Sequence, residues 1–225
     1  RVAWEGPADV IKCNREWHQL DDYPYLFKEY NAGSARLTKS MQDMLGDRVA
    51  PPEDVLFNKQ HDMLNKGVFN AQKKMDKDRE VFFAHFAPPC TTFSQAQAQY
   101  QFRTKNAPYG GERRVDEPLS EQVVKDSEIA VKCARRCKIR HEVGDAFGLE
   151  HPWPGLVLHL QGFKDLLDMP GVYTFTFDSC AFGEKYRHRQ VYVTNAPWLA
   201  PLGRDCPGCK SHLTIGFGGD LRTKD

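Results

Sequence analysis

The sequence predicts an α/β fold with a mostly parallel sheet. Between residues 25 and 151, apolar segments typical of buried strands alternate with segments whose apolar residues recur at helical spacing. Strands and helices that alternate along a chain usually form parallel sheets. Three of these segments end in candidate site residues, namely the turn at Gly33, Cys90 and Glu150. Because ligands collect at the carboxyl ends of parallel strands, we expect the three at one edge of the sheet.

Periodicity assigns the elements in chain order. Strands are predicted at "YLFKEY" and "VFFAHF", with a further short strand in "PEDVLFNKQHDML" between them. Helices are predicted around Leu37, Met41 and Leu45, which recur every four residues, and in "VFNAQKKMDKDRE". A third helix, from Ser120 to Lys138, carries a stripe of apolar and small residues. The last strands are predicted at "FGLEHP", "VYTFTFDSCAFG" and "RQVYVTN".

Composition and charge limit the classes of function. The chain has 225 residues, of which 40% are hydrophobic, enough for one main domain with its own core. Its net charge of +1 gives no overall attraction to a polyanion, so contacts with nucleic acid would have to come from local basic clusters. Solvated surface is the alternative interpretation of such clusters. They are Arg103/Lys105, Arg113/Arg114, Arg135/Arg136/Lys138/Arg140 and Lys185/Arg187/Arg189.

The seven cysteines indicate a reducing, intracellular compartment, which would be the nucleus in a eukaryote. Their number is odd and no apolar signal segment opens the sequence, so disulfides are not expected. No run approaches the roughly 18 apolar residues that would span a membrane. Cys133 and Cys137 lie one helical turn apart, and we interpret them as core residues rather than as a metal pair.

Cys90 follows a predicted strand that stops abruptly at Pro88 and Pro89. Proline donates no hydrogen bond to a sheet ladder, so the pair places Cys90 just beyond the carboxyl end of the strand. Taken alone, such a cysteine is more often a small buried hydrophobe than a nucleophile. The stretch from Gln95 to Pro118 has no periodicity and is longer than an ordinary connection, which is typical of a lid.

The order of these segments resembles that of the cytosine-5 DNA methyltransferase family, from about Tyr25 to Asn195. "EYNAGSA", an acidic segment, "APPCTTFS", "LEHP" and "YRHRQVYVTN" follow one another as the motifs of that family do. Ala35 stands where the family has a second glycine, His151 replaces an asparagine, and the last segment lacks its leading glutamine. The resemblance implies a Rossmann-like S-adenosylmethionine-dependent methyltransferase fold, with helices on both faces of a mostly parallel sheet.

The resemblance also implies two sets of site residues. The methyl donor S-adenosylmethionine would be bound by the glycine turn, the acidic segment and the Pro-Cys motif, through Glu29, Ala32, Gly33, Ser34, Asp54, Asp62 and Pro88. Glu53 is the alternative to Asp54 for the ribose hydroxyls. The reaction itself would use Cys90, Glu150, Arg187 and Arg189, and Ser94 completes the Pro-Cys-x-x-x-Ser pattern.

The chemistry of the family accounts for these residue types. A Cys90 thiolate would add to carbon 6 of cytosine and so enable carbon 5 to attack the methyl group. The Glu150 carboxyl would hold or donate the proton at ring nitrogen 3. Arg187 and Arg189 would favour the thiolate, or orient the base or a backbone phosphate. The base must leave the stack, and the 95–118 loop is placed to close over it.

Three regions are predicted: an N-terminal extension without an assigned role (1–24), a methyltransferase-like catalytic domain (25–195) and a short Cys/His-containing tail (196–225). The last two motifs and the large target-recognition domain of the family have no counterpart here, and in this the sequence resembles short phage and mobile-element forms. Three explanations stay open: the sequence is a piece of a longer chain, the N-terminal segment supplies the missing wall of the cofactor site, or other chains or domains supply the missing parts. We expect a nucleic-acid partner, DNA rather than RNA, and no membrane. The alternatives are an RNA cytosine methyltransferase and a degenerate domain that binds nucleic acid or serves as a structural part of a larger assembly.

The tail predicts a structural zinc site. Cys206 and Cys209 have the C-x-x-C spacing of a metal knuckle, His212 follows three residues later, and Cys180 lies at a predicted strand turn upstream. The tail is rich in glycine and poor in large apolar residues, so a metal ion could stabilise it where a core cannot. The alternative is a pair of free thiols in a turn.

Overall fold

The computed structural model describes residues 17–93, 103–110, 121–215 and 221–222. Within these ranges, five strands form one sheet: Tyr25–Tyr30 (β1), Val81–Phe86 (β2), Ala146–Pro152 (β3), Tyr173–Asp178 (β4) and Arg189–Thr194 (β5). The α-helices are Arg36–Leu45 (α1), Lys66–Lys77 (α2), Glu121–Val143 (α3) and Gln161–Leu167 (α4). A separate two-stranded ribbon pairs Thr214–Ile215 (β6) with Leu221–Arg222 (β7). None of the described helices is long and apolar enough to cross a bilayer.

The strand order is β1-β2-β3-β5-β4. The first three strands are parallel to one another, whereas β5 pairs antiparallel with both β3 and β4. Four of the five strands therefore share one direction, which confirms the prediction of a mostly parallel sheet. The carboxyl ends of β1 to β4 lie at the same edge, together with the beginning of β5.

Helices cover both faces of the sheet, as predicted. Consecutive residues of a strand point to opposite faces, and in β1 these are Glu29 and Tyr30. The Glu29 carboxylate accepts a hydrogen bond from the backbone N–H of Thr38 in α1 (2.8 Å). The Tyr30 ring lies under the guanidinium of Arg136 in α3, 3.8 Å from the ring centre. Helices α1 and α3 are therefore on opposite sides.

The main core lies between the sheet and helices α3 and α4. The helices contribute Phe163 and Leu166 to it, and the strands contribute Phe86, Phe147 and Leu149, all fully buried. Cys133 and Cys137 of α3 belong to the same cluster and are inaccessible to solvent. Their interpretation as core residues is confirmed.

Two arginines of a basic cluster predicted to lie at the surface are instead buried in this layer. The carboxylate of Asp76 in α2 accepts hydrogen bonds from both Arg136 (2.5 and 2.9 Å) and Arg140 (3.2 Å). Arg140 also donates to the carbonyls of Val81 and Phe82. Buried charges persist only when paired and hydrogen-bonded in this way. These arginines join α2, α3 and β2 and are unavailable to a polyanion.

The segment "PEDVLFNKQHDML" does not form the strand predicted for it. Its pairing with the sheet is an isolated bridge between Glu53 and Tyr30. The Asp54 carboxylate accepts the N–H of Leu56 (2.8 Å), and the Asn58 side chain accepts the N–H of Gln60 (2.9 Å). Such local bonds offer the backbone an alternative to a ladder. The apolar side chains that suggested a strand are exposed: Val55, Leu56 and Phe57.

Candidate functional site

Three loops meet at the carboxyl edge of the sheet, after β1, after β2 and at the end of β3. The N–H of Ala87, just beyond β2, donates to the carbonyl of Tyr30 at the end of β1 (3.1 Å). The N–H of Glu53 donates to the carbonyl of Glu29 (2.9 Å), which adds the acidic segment to the same edge. The strand pairing therefore brings the glycine turn, Cys90 and Glu150 to one side of the molecule, as the sequence predicted.

The turn after β1 uses three residues with left-handed backbone conformations. Asn31, Gly33 and Ala35 have φ angles of 57°, 52° and 51°. Glycine adopts this region without strain, whereas alanine does not. A side chain at Gly33 would meet no atom within 4 Å, so the turn is open on that side. Ala35 thus has a left-handed backbone conformation that favours glycine.

The three carboxylates predicted to bind the cofactor all accept hydrogen bonds from backbone N–H groups around this turn. Asp54 accepts the N–H of Gly33 (2.9 Å), and Asp62 accepts the N–H of Leu64 (2.9 Å). Glu29 is buried against α1 through Thr38, as described above. Of the other predicted cofactor-binding residues, Ala32 and Pro88 are buried and Ser34 is exposed.

The alternative ribose ligand, Glu53, is occupied by other partners. It forms an ion pair with Lys28 (2.8 Å) and accepts a hydrogen bond from Gln72 (2.6 Å). Of these two acidic residues, Asp54 is the one whose described side-chain contacts include the glycine turn, through the N–H of Gly33.

Cys90 lies three residues beyond Ala87 and is partly accessible. Burial raises the pKa of its thiol, and the carboxylates of Asp126 and Glu150 raise it further, although a backbone hydrogen bond opposes them. Neither Arg187 nor Arg189 is among the described groups that act on this pKa. Cys90 is consequently a thiol at neutral pH, and its ionisation needs a change of surroundings.

Arg103 holds the 3-10 turn Thr91–Phe93 that follows Cys90. Its guanidinium donates to the Thr92 hydroxyl (2.8 Å) and to the Val123 carbonyl of α3 (2.8 Å), and it lies 3.6 Å from the centre of the Phe93 ring. Burial lowers the pKa of Arg103 to about 10. The sequence analysis assigned this arginine to a surface basic cluster, whereas it is buried against the turn that follows Cys90.

Glu150 lies beside a histidine that the sequence analysis did not select. His85 of β2 is buried, and its Nε2 is 3.7 Å from Oε2 of Glu150. Burial raises the pKa of Glu150, but its interaction with His85 and the nearby His188 and His151 outweigh it, so that the pKa stays below its ordinary value. The free protein therefore carries an ionised Glu150.

His151 packs beneath the loop that carries Cys90. Its ring meets the Phe93 ring edge-on, with 5.5 Å between centroids, and it is almost fully buried. Burial lowers the pKa of His151 to about 4, against the carbonyls of Pro152 and Pro89, which raise it. A neutral imidazole therefore packs against Phe93 in the turn that follows Cys90.

The side chains of Arg187 and Arg189 contact β4 and the tail. Arg187 pairs with the buried Asp178 (3.2 Å), and Arg189 pairs with Asp205 (2.8 Å). Arg189 also donates to the Thr176 hydroxyl (3.0 Å). The arginines thus connect the beginning of β5 to β4 and the tail. Ser94, Arg113, Arg114 and the parts of the predicted lid at 95–102 and 111–118 lie outside the described residues.

A second group of side chains gathers at the tail and forms a possible metal site. The ligand atoms of Cys180, Cys206, Cys209 and His212 all lie within 4.8 Å of one another. Backbone N–H groups of Cys209 and Gly208 lower the pKa of Cys206 to about 6, although burial opposes them. The structure thus brings together the four residues that the sequence analysis selected, three by their spacing and Cys180 by its place at a strand turn.

No model of a known protein family matches the chain, and no curated protein matches it. Among solved structures, it is similar to the methyltransferase EhMeth of Entamoeba histolytica, with 11% identity and a TM-score of 0.45 over 89% of this chain and 57% of that one. It is also similar to a Dnmt2 mutant of Spodoptera frugiperda (12%, TM-score 0.42, 84% and 56%) and to the S. pombe Dnmt2 methyltransferase (11%, TM-score 0.42, 76% and 50%).

The chain spans about half the length of these solved structures. Their similarity to it is too low to assign a function. The expected phage-like form stays a prediction.

Proposed function

We propose that the protein transfers a methyl group from S-adenosylmethionine to carbon 5 of a cytosine in nucleic acid, through a covalent intermediate on Cys90. The observation that carries the proposal is the placement of Cys90 and Glu150. They lie at the carboxyl ends of adjacent strands, close enough for the Glu150 carboxylate to affect the pKa of Cys90. A nucleophile and a proton-handling carboxyl are the two groups that this chemistry requires.

The surroundings of the glycine turn fit S-adenosylmethionine, which would supply the electrophilic methyl group. Space is open beside Gly33, and the carboxylates of Asp54 and Asp62 can accept hydrogen bonds from ribose hydroxyls and an amino group. Val55 and Leu56 expose apolar surface directly after Asp54, on which a planar base can pack. The donor would thus be bound beside the loop that carries Cys90.

Cys90 is the proposed nucleophile. Its sulfur would form a bond to carbon 6 of the cytosine as the thiol loses its proton to solvent. Carbon 5 would then bond to the methyl group while the bond between that group and the donor sulfur breaks, so that S-adenosylhomocysteine leaves. Loss of the proton from carbon 5 and cleavage of the bond between sulfur and carbon 6 release the methylated base and restore Cys90. Since burial raises the pKa of this thiol, deprotonation has to accompany substrate binding.

Glu150 is proposed to share a proton with ring nitrogen 3 of the bound cytosine. The carboxylate is ionised in the free protein because His85 and its neighbours outweigh burial. A base stacked into the site would remove water and increase the effect of burial, which favours the protonated carboxyl. The proton at nitrogen 3 draws electrons from the ring while the thiolate adds, so it stabilises the charge that develops.

The proposal is tested by methyl transfer from labelled S-adenosylmethionine to mixed DNA and RNA. We expect incorporation into cytosine with the wild-type protein and none with Cys90→Ser, whereas Thr91→Ala, an exposed neighbour, serves as the matched control. Cytosine that carries fluorine at carbon 5 should form a covalent adduct with the wild type alone. Full turnover by Cys90→Ser would exclude this mechanism.

We propose DNA as the substrate because of the sequence resemblance. The same assay tests RNA as the alternative substrate. Calorimetry with S-adenosylmethionine separates an enzyme from a degenerate domain, because a degenerate domain would bind nucleic acid without binding the donor. Target recognition by another chain or domain remains part of the proposal. The cluster of Cys180, Cys206, Cys209 and His212 is assigned no part in methyl transfer.

A further inference from the structure

We infer that Cys180, Cys206, Cys209 and His212 bind one zinc ion in a closed, tetrahedral site that fastens the tail to β4 and β5. The inference does not depend on the proposed methyl transfer. It rests on the convergence of four donor atoms from three places in the chain: the turn after β4, the Cys206–Cys209 knuckle and His212.

The geometry of the cluster suits zinc. With Zn–S bonds of about 2.3 Å, sulfur atoms at the corners of a tetrahedron are about 3.8 Å apart. All the donor atoms here lie within 4.8 Å of one another, and Nε2 of His212 is 3.5 Å from Sγ of Cys206. A contraction of about 1 Å therefore completes the coordination. Three thiols and an imidazole are soft and intermediate ligands, which select zinc over magnesium or calcium.

The knuckle has the backbone that metal binding requires. Gly208 has a φ angle of 91°, which turns the chain sharply between Cys206 and Cys209. Four protein ligands fill a tetrahedron and leave no open position for substrate, so the ion would be structural.

Among the described residues, the tail between Gly203 and Leu213 makes few contacts with the rest of the chain apart from the cluster and its pairs with Asp178 and Arg189. From Gly203 to Ser211 every residue is exposed except the partly buried Cys206. The Arg204 carbonyl accepts the N–H of Asp178 (2.9 Å), and the N–H of Leu213 donates to the Lys185 carbonyl (2.9 Å). A few surface hydrogen bonds offset little of the entropy that is lost when a segment is ordered, so metal binding would provide folding free energy here.

Asp178 connects the cluster to the candidate active-site edge. Its Oδ2 accepts the N–H of Cys206 (2.9 Å), while its Oδ1 pairs with Arg187 (3.2 Å). Asp205, the residue before the first knuckle cysteine, pairs with Arg189. The two arginines at the beginning of β5 are thus held by the backbone that the ion would fix. Loss of the ion should release Arg189 from Asp205 and loosen the contact between Arg187 and Asp178.

The test is metal analysis of the full chain, purified without chelator and with thiols kept reduced. We expect about one zinc ion per chain. Cys209→Ser and His212→Ala should each lose most of it, whereas Cys90→Ser, a cysteine outside the cluster, should keep it. His212→Cys should retain zinc, because thiolate replaces imidazole in a tetrahedral site. Circular dichroism of each variant shows whether the sheet is still folded.

Cobalt provides a second readout that does not depend on activity. Protein stripped of metal and loaded with Co²⁺ should show the strong visible absorption of tetrahedral coordination and a sulfur-to-metal charge-transfer band, which weakens in Cys209→Ser. Zinc well below one equivalent in the wild type, or an unchanged content in Cys209→Ser, would overturn the inference. A disulfide between Cys206 and Cys209 in protein handled without added oxidant would do the same.

Discussion

Nε2 of His85 lies 3.7 Å from Oε2 of Glu150, so that a buried imidazole in β2 faces the carboxyl at the end of β3. The pair sits on two strands that are hydrogen-bonded to each other. His85 also stacks on Tyr192, with 5.7 Å between ring centroids, which fixes its orientation. The carboxyl proposed to handle the proton of the reaction therefore has an imidazole of fixed orientation beside it.

Glu150→Gln should slow methyl transfer more than it weakens binding. The amide keeps the shape and a hydrogen bond but cannot exchange a proton, so the rate of the chemical step should fall by about 10²- to 10⁴-fold. Single-turnover kinetics measure that step, and calorimetry shows that donor binding is retained. An unchanged single-turnover rate would show that Glu150 takes no part in the chemical step.

The pKa of Glu150 itself gives a stability test with a definite sign. A carboxyl whose pKa is lower in the folded than in the unfolded chain stabilises the fold when ionised, so its contribution is present above the ordinary pKa of 4.5 and is lost as the pH falls through the depressed value. His85→Gln removes the largest opposing effect and should raise the pKa of Glu150, as measured by NMR titration. A pKa that stays unchanged would show that the pair is not coupled.

His151→Asn should make the stability less sensitive to acid. A histidine whose pKa is about 4 when folded takes up a proton more readily when unfolded, so the wild type loses stability as the pH falls from about 6.5 to 4. The loss from this residue is about 3 kcal/mol, and it should be absent in the variant. Urea unfolding at several pH values measures the difference. His159→Gln changes a more exposed histidine whose pKa is also lowered by burial, so it should remove a smaller part of the dependence than His151→Asn does.

Gly148→Ala should destabilise the sheet. A Cβ at this position would lie 2.0 Å from the Tyr192 hydroxyl oxygen and 2.5 Å from Cζ, and the Tyr192 ring is held between Phe175 and His85. Forcing the ring aside should cost about 1–3 kcal/mol of unfolding free energy. The cost should largely disappear in a Tyr192→Leu background, as a double-mutant cycle would show. Equal costs in both backgrounds would locate the strain elsewhere.

Two substitutions in the glycine turn should have different effects on the unfolding free energy. Gly33→Ala places a side chain in the left-handed region without any clash, so it should lower the unfolding free energy by about 1 kcal/mol. Ala35→Gly removes the same kind of strain but adds freedom to the unfolded chain, so the unfolding free energy should stay level or rise by up to about 1 kcal/mol. A clear loss in Ala35→Gly would contradict the backbone conformation of the turn.

Much of this arrangement was predictable from local pattern. The apolar strands β1 and β2 and the Pro88-Pro89 stop placed Cys90 at the sheet edge, because strand length and proline geometry are local properties. The spacing of Cys206, Cys209 and His212 likewise predicted that they would converge. In both cases the residues that decide the outcome are near neighbours in the sequence.

The remaining features depend on partners far apart in the chain. A histidine within the apolar strand β2 is a sign of a possible functional residue. The sequence does not show its partner, because Glu150 belongs to another strand. Arg103 and Arg136 resembled surface charges because burial of a cation depends on acceptors that only the folded chain supplies. The strand predicted around Val55 was wrong because local side-chain bonds to the backbone prevailed over apolar composition.

The position of β5 between β3 and β4 also bears on the order of folding. β4 and β5 are joined by the ten residues 179–188 and pair antiparallel, whereas both α1 and α2 lie between the partners Phe27 of β1 and Phe83 of β2. Closing a short loop costs less chain entropy than closing a long one, so the β4–β5 hairpin should nucleate early and the β1 edge should join late. Cys180 lies within that hairpin connection, so the tail would attach to the part of the sheet that forms first.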